Sequence, residues 1–193
     1  MPGPTLARRH CVERLLAGRG DLLVVSGLGA PTYDVAAAGD HPLNFYLWGA
    51  MGSAAGIGLG LALARPDKHV AVITGDGEML MGVGSLASIG VKQPSNLSLV
   101  VLDNRHYGET GMQASHTNFG IDLVGIARAC RFVQSHAVSN DSELESARGL
   151  LHSGTGPHFI AVQVEADNPP RVLPSRDGTE IKLRFQQALA KLS

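Results

Sequence analysis

Two polar turns follow two apolar runs in the centre of the chain. Asp76 lies in the turn 75–78 (GDGE), after the apolar run 70–74, and Asn104 follows the run 97–102. Carboxylate and amide oxygens are ligands that Mg²⁺ prefers, and the backbone amides of glycine-rich turns bind phosphate groups. The two turns together therefore predict a magnesium site that holds a phosphorylated ligand.

Neither turn alone indicates a binding site, because Gly-Asp-Gly occurs in many loops and Asp-Asn follows many strands. The pattern between the two turns predicts one crossover helix, so the stretch 70–108 has the organisation strand, helix, strand. In a parallel sheet both turns would lie at the carboxyl edge, where open α/β sheets bind ligands. The pair is thus more specific than either turn.

Apolar runs alternate with helical patterns along most of the chain. The sequence predicts strands at 22–25, 44–47, 70–74, 97–102, 132–138 and 158–164, helices at 5–18, 32–38, 52–64, 121–130, 141–151 and 179–192, and a long loop over 105–120. This order predicts an α/β fold with a single doubly wound, mostly parallel sheet and helices on both faces. We expect one domain over 1–166, followed by a Pro-rich excursion and a C-terminal helix over 167–193.

The predicted helix 52–64 (GSAAGIGLGLALA) contains four glycines. A glycine inside a helix costs about 1 kcal/mol relative to alanine. Close packing against the sheet or against another subunit would offset that cost.

Composition restricts the class of protein. The 193 residues are 44% hydrophobic and 17% charged, which suits one globular domain, and the net charge of -1 gives no reason to expect nucleic acid or an anionic membrane as a partner. Cys11 and Cys130 do not form a CxxC motif, so a disulfide framework or thiolate zinc site is not indicated. No apolar run reaches membrane-spanning length, and we expect a cytoplasmic protein.

Three segments resemble thiamine diphosphate (ThDP) enzymes. The turn 75–77 followed by Asn104 resembles their diphosphate-binding motif, and 48–52 (WGAMG) resembles the segment that holds the aminopyrimidine in pyruvate-decarboxylase-like enzymes. The segment 104–108 (NRHYG) resembles the Asn-x-x-Tyr-Gly continuation of the same family. On these motifs the chain is identified as a diphosphate-binding (PP) domain similar to the β subunit of split sulfopyruvate decarboxylases and to phosphonopyruvate decarboxylases.

The resemblance implies thiamine diphosphate and Mg²⁺ as cofactors. Asp76 and Asn104 would bind the metal through their side chains and His106 through its backbone carbonyl. Gly77 and Glu78 would offer amides to the diphosphate. The Gly49 carbonyl would accept a hydrogen bond from the 4'-amino group, and Met51 would lie beneath the cofactor and impose its bent conformation. The other cofactor-binding residues implied are Ser26, Gly27, Ala50, Gly75, Tyr107 and Gly108.

The segment 108–117 follows the predicted metal site and carries two further chemical groups. Glu109 and His116 are predicted acid/base residues, which with Met51 form the expected catalytic set. The alternative is a mobile lid whose side chains are solvated. Arg105 and His116 are candidate cations for a sulfonate or phosphonate group of the substrate.

The resemblance also implies a partner. In this family a pyrimidine-binding domain supplies the glutamate that activates the cofactor, and the chain has room only for the PP domain. We therefore expect a separate pyrimidine-binding, α-type subunit and decarboxylation of a small 2-oxo acid. The alternatives are a carboligase resembling acetolactate synthase, a non-catalytic ThDP-binding or regulatory module, and a Rossmann-like nucleotide binder, although 27–31 (GLGAP) lacks the third glycine of that fingerprint.

Overall fold

Six parallel strands form the central sheet in the computed structural model, which describes residues 6–192. The strand order is β2-β1-β3-β4-β8-β7, and a separate antiparallel hairpin pairs β5 with β6. The strands are β1 (Leu23–Ser26), β2 (Asn44–Tyr46), β3 (Val70–Gly75), β4 (Leu97–Asp103), β5 (His106–Tyr107), β6 (Gln113–Ala114), β7 (Gln134–Val138) and β8 (His158–Gln163).

Helices cover both faces of this sheet. The first core, on one face, includes residues of α1, α2 and α7, and the second core, on the other face, includes residues of α3, α5 and α6. The helices are α1 (Arg8–Leu16), α2 (Ala30–Ala37), α3 (Ala54–Ala64), α4 (Asp76–Met81), α5 (Gly84–Lys92), α6 (Leu123–Ala129), α7 (Asp141–Ser153) and α8 (Gly178–Leu189). The predicted doubly wound α/β sheet is confirmed.

Burial on both faces explains why the strands have continuous apolar runs. In β3, Ala71 and Ile73 belong to the first core, whereas Val70 and Val72 belong to the second, and all four are at most 1% exposed. A strand that alternates between two cores needs apolar residues at every position.

The prediction of one crossover helix between β3 and β4 is wrong. The crossover consists of α4 and α5, and Gly82 and Val83 separate them. A Cβ atom on Gly82 would lie 1.9 Å from the carbonyl oxygen of Gly52. The chain therefore bends where its backbone meets the turn that precedes α3.

The predicted long loop over 105–120 is also more ordered than expected. It contains the β5–β6 hairpin and a 3₁₀ helix, His116–Phe119. The Ser115 amide donates to the Arg105 carbonyl at 2.8 Å, which closes the base of this segment.

The C-terminal segment packs on the sheet. In α8, Ile181 and Phe185 are 2% and 5% exposed, and the Phe185 ring meets Phe45 of β2 edge-on at 5.5 Å.

Residues 1–5 and 193, which fall within the predicted bounds 1–166 and 167–193, lie outside the described residues, and the boundary at 166 stays a prediction. Between residues 6 and 192, no helix combines the length and apolarity needed to cross a bilayer.

Candidate active site

One cavity lies at the carboxyl ends of β1, β3 and β4. The chain runs from β1 outward to β2 and then returns to place β3 on the other side of β1, so the cavity is at the switch point of the sheet, where α/β folds bind ligands. The predicted site residues that line it are Met51, Gly75, Asp76, Gly77, Glu78, Asn104, His106, Tyr107, Gly108 and Glu109.

Asp76 is the buried carboxylate of this cavity, with 2% of its surface exposed. Its Oδ2 atom accepts hydrogen bonds from the Ser115 hydroxyl and from Thr117 Oγ1, the latter at 3.1 Å. Burial raises the pKa of Asp76, the Ser115 hydroxyl opposes that shift, and the nearby Asp103 carboxylate adds to it. Asp76 is thus a carboxylate that a cation would stabilise.

Asn104 begins a tight turn at the end of β4. Its Oδ1 atom accepts a hydrogen bond from the His106 amide at 2.9 Å, and Arg105 between them has a φ of 63°. An amide oxygen retains a second lone pair after accepting one such bond. The Asn104 side chain can therefore hold the turn and still offer an oxygen to the cavity.

The donor set fits a hard divalent cation. Asp76 supplies a buried carboxylate, Asp103 lies close enough to raise its pKa, and Asn104 adds an amide oxygen. Within the described part of the chain, no group of three or more His, Cys, Asp or Glu side chains forms a metal cluster, so backbone or ligand oxygens would complete the coordination. Oxygen-rich, incomplete coordination is how Mg²⁺ is bound beside a phosphorylated ligand.

The turn 75–78 presents backbone amides to the cavity. Asp76, Gly77 and Glu78 form the first turn of α4, where amides have no carbonyl partner within the helix. A Cβ atom on Gly77 would lie 2.4 Å from Cε1 of Tyr107, so glycine is what lets the tyrosine ring pack on the turn. These amides could bind a phosphate group.

The Glu78 side chain is a buried carboxyl group at the cavity. It is 4% exposed, and its Oε2 atom accepts a hydrogen bond from Thr74 Oγ1 at 2.9 Å. Burial raises the pKa of Glu78, whereas the Thr74 hydroxyl and the backbone amides of Gly52, Leu28 and Ala54 lower it. One carboxyl oxygen is thus bonded to β3, whereas Oε1 has no hydrogen-bond partner among the described residues.

Met51 lies at the rim of the cavity and is 45% exposed. The turn that carries it needs unusual backbone angles, with φ of 57° at Ala50 and 90° at Gly52. Gly49 and Ala50 are exposed and are not among the residues that line the cavity. A partly exposed apolar side chain therefore lies at this rim, and its role as the wedge beneath the cofactor stays a prediction.

Some predicted residues are not brought to the cavity. Ser26 is fully buried, and its hydroxyl lies 2.6 Å from Thr32 Oγ1. Gly27 lies beneath the cavity, where a Cβ atom would come within 1.9 Å of Glu78 Oε2.

The two residues predicted as cations near the substrate lie outside the central cavity. His116 is exposed, with Nδ1 at 3.3 Å from the Tyr107 hydroxyl. Arg105 lines a different cleft, beside Thr117 and Asp122. The structure therefore gives no support to Arg105 as a group that contacts a ligand in the central cavity.

Glu109 lines the cavity mouth and is held from two sides. Its Oε2 atom accepts a hydrogen bond from Arg171 Nη2 at 3.0 Å. On the other side it packs against Gly29, where an added Cβ atom would lie 2.9 Å from Glu109 Cγ. The Arg171 guanidinium also lies 5.4 Å from the centre of the Tyr33 ring. The Pro-rich segment that carries Arg171 thus borders the cavity, which the sequence did not indicate.

Local sequence patterns do not indicate several further residues of the site, because only contacts between distant segments give them a role. Arg8 of α1 lines the cavity, is 4% exposed and forms an ion pair with the fully buried Asp34. Ser115 and Thr117 reach Asp76 from the segment beyond β5. No local pattern indicated them, because Ser115 precedes the 3₁₀ helix His116–Phe119 and Thr117 lies within it.

Comparison with known proteins identifies a family and relatives of this chain. Residues 27–162 match the family described as thiamine pyrophosphate enzyme, C-terminal TPP binding domain. The chain is 36% identical to sulfopyruvate decarboxylase subunit beta of Methanococcus maripaludis, over 96% of this chain and 99% of that relative. It is also 36% identical to phosphonopyruvate decarboxylase of Streptomyces viridochromogenes, over 96% of this chain but 47% of that longer protein.

The fold has counterparts among solved structures. The Rhodococcus jostii RHA1 thiamine diphosphate-dependent 4-hydroxybenzoylformate decarboxylase superposes with a TM-score of 0.71 at 21% identity, and the match covers 86% of this chain and 34% of that one. At this identity the likeness speaks for the fold alone. The family match over residues 27–162 shows that the chain belongs to the thiamine pyrophosphate enzymes, as a C-terminal TPP-binding domain.

Proposed function

We propose that the chain is the diphosphate- and Mg²⁺-binding subunit of a two-subunit, ThDP-dependent decarboxylase. Its substrate would be a 2-oxo acid whose far end carries a sulfonate or phosphonate group, as in sulfopyruvate and phosphonopyruvate. The observation that carries the proposal is the meeting of Asp76, Asn104 and the first-turn amides of α4 in one cavity at the switch point of the sheet.

Bound ThDP would supply the electron sink that lets a 2-oxo acid lose CO₂ and leave as an aldehyde. Asp76, Asn104 and the His106 carbonyl would hold Mg²⁺. The amides of Gly77 and Glu78 would bind the diphosphate.

The rim residues would act on the substrate side of the cofactor. Met51 would support the cofactor from the rim. Glu109 lines the cavity and is tethered by Arg171, whereas His116 is not among the lining residues, so Glu109 is better placed to contact the substrate. Arg171, which is bonded to Glu109 beside the cavity, is a cation that would meet the anionic end of the substrate.

The partner would cover an uncharged face next to Met51. The segments 51–64 and 79–91 contain no charged residue, and Leu63, Met81 and Val91 are 49%, 57% and 75% exposed. The names of the full-length relatives, which call them subunit beta, support a second subunit. We infer that this face meets the pyrimidine-binding, α-type subunit that supplies the activating glutamate.

The alternatives predict different chemistry for the same cofactor site. A carboligase resembling acetolactate synthase would join the decarboxylated fragment to a second carbonyl compound. A regulatory module would bind ThDP without turnover. The decarboxylase is favoured because the relatives that match nearly the whole chain are named decarboxylases. A cytoplasmic location stays a prediction.

Co-expression with a candidate pyrimidine-binding subunit tests the proposal. The purified complex should release CO₂ and an aldehyde from sulfopyruvate or phosphonopyruvate only when ThDP, Mg²⁺ and both chains are present. If a larger, joined product replaced the aldehyde when a second carbonyl compound was added, the carboligase would be favoured. Failure of the complex to bind ThDP with Mg²⁺ would contradict the proposal in every form.

A further inference from the structure

Two hydroxyl side chains of the segment beyond β5 meet the buried carboxylate of the cavity. Ser115 is fully buried and Thr117 is 9% exposed, and both are hydrogen bonded to the same oxygen of Asp76, Oδ2. No hydrogen bond from another described residue reaches Oδ1. The carboxylate is thereby fixed with one oxygen committed to the protein and one left for another ligand.

The same two hydroxyls lie between two carboxylates. Thr117 Oγ1 lies 2.8 Å from Asp103 Oδ1, 3.1 Å from Asp76 Oδ2 and 2.9 Å from Ser115 Oγ, but a threonine hydroxyl has one proton to donate. With the Ser115 proton on Asp76, the Thr117 proton can serve either carboxylate, so the two hydroxyls hold the carboxylates of Asp76 and Asp103 close together. Their mutual repulsion is what a cation at Asp76 would relieve.

We propose that Ser115 and Thr117 are positioning residues for the cation ligand Asp76, and that they couple the segment 105–117 to the cation. The inference rests on the proposed function, because it assumes that Asp76 binds the Mg²⁺ that accompanies ThDP. The coupling follows from the backbone, since the Ser115 amide is bonded to the Arg105 carbonyl and so ties both ends of the segment to the same carboxylate.

The tip and the base of the segment 105–117 make different contacts. The tip carries Glu109, whose carboxylate is held by Arg171 at the mouth of the cavity. The base carries Ser115 and Thr117, which contact Asp76 under the cavity. Cation binding at the base would therefore fix the position from which Glu109 reaches the substrate.

Titration of Mg²⁺ tests this inference at a saturating ThDP concentration in the full chain co-purified with its partner subunit. Fluorescence of Trp48, the single tryptophan of the chain, reports binding without any turnover. Groups that orient metal ligands typically contribute about 10–100-fold to metal affinity. We expect Ser115→Ala and Thr117→Val to raise the half-saturating Mg²⁺ concentration by about that factor, and Thr117→Ser to restore the wild-type value.

A matched control separates positioning from folding. Ser98 is also a buried hydroxyl, 4% exposed, but it is bonded to His158 Nδ1 near the opposite end of β4. Ser98→Ala should leave the Mg²⁺ titration unchanged even where it lowers the melting temperature.

Trypsin provides a second readout, because it cleaves after Arg105. Mg²⁺ with ThDP should slow that cleavage in the wild type and in Thr117→Ser, but not in Thr117→Val. Wild-type Mg²⁺ affinity and protection in both Ser115→Ala and Thr117→Val would overturn the inference while leaving the proposed function intact. Failure of the wild type to bind ThDP would instead overturn the proposed function.

Discussion

Asp76 and Asn104 lie just beyond the ends of two neighbouring parallel strands whose register pairs Gly75 with Leu102. This pairing brings a carboxylate and an amide from separate turns to the wall of one cavity. Neither side chain depends on a local motif for its partner, because the parallel sheet aligns the two turns. The metal site is thus a property of strand order and register.

Asp76→Asn should abolish Mg²⁺-dependent ThDP binding. The amide keeps the size of the side chain but removes the charge that a cation needs, and one oxygen can still accept from Ser115. Isothermal titration of the co-purified complex measures the change. Asp21→Asn is the control, because Asp21 pairs with Lys68 and its side chain is 61% exposed. Wild-type dependence on Mg²⁺ in Asp76→Asn would contradict the metal assignment.

Gly82→Ala should weaken ThDP binding without touching the cavity. The new Cβ atom would lie 1.9 Å from the carbonyl oxygen of Gly52, so the turn that carries Met51 must shift. Gly84→Ala is a matched control, since nothing lies within 4 Å of its Cβ position. We expect a lower ThDP affinity for the first variant alone. Equal affinities in the two variants would show that the Met51 turn does not contribute to binding.

The sequence predicted the elements whose signals are local. The apolar runs of β3 and β4 and the small-residue helix α3 were predicted in this way. The residues of the diphosphate-like motif also lie in short turns, which is why local sequence could single them out, and their binding role stays a prediction.

The missed features depend on contacts between distant segments. The break between α4 and α5 is set by the approach of Gly82 to Gly52, and the low helix propensity of Gly82 and Gly84 alone does not decide between a break and a continuous helix. Arg8 reaches the cavity because α1 packs near Asp34 of α2, a residue 26 positions away in sequence. Such contacts follow from the assembled sheet and cannot be deduced from a local pattern.

The glycines of α3 should differ in their effect on stability. A Cβ on Gly58 would lie 2.2 Å from Val72 Cγ2, and overpacking of this kind costs about 1–3 kcal/mol. Gly60 has nothing within 4 Å, so Gly60→Ala should stabilise the isolated chain by up to about 1 kcal/mol. Urea unfolding of Gly58→Ala and Gly60→Ala measures both free energies of unfolding. Equal changes would contradict the packing of α3 on β3.

The same Gly60→Ala variant also tests the uncharged face. Gly60 is exposed in the chain by itself, and its helix belongs to the segment 51–64 that we assign to the partner. If the α-type subunit packs closely there, the added methyl group should weaken the complex although it stabilises the free chain. Analytical ultracentrifugation of the co-purified chains measures this, and unchanged association would place the partner elsewhere.

His158 should make the folded chain less stable in acid. It is 1% exposed, and burial lowers its pKa, with further lowering by His136 and His69 that a Thr155 backbone hydrogen bond opposes. The unfolded chain binds the proton near the ordinary pKa of about 6.5, whereas the folded chain does not. Stability therefore falls as the pH drops below that value towards the folded-state pKa.

Urea unfolding of His158→Gln between neutral and mildly acidic pH measures this contribution. The variant lacks the titrating group, so its free energy of unfolding should fall less steeply with decreasing pH than that of the wild type. Ser98→Ala removes the hydroxyl beside His158 Nδ1 but keeps the imidazole, so it should be less stable at every pH with the slope retained. Identical slopes in the wild type and His158→Gln would mean that this buried histidine does not drive the acid sensitivity of the fold.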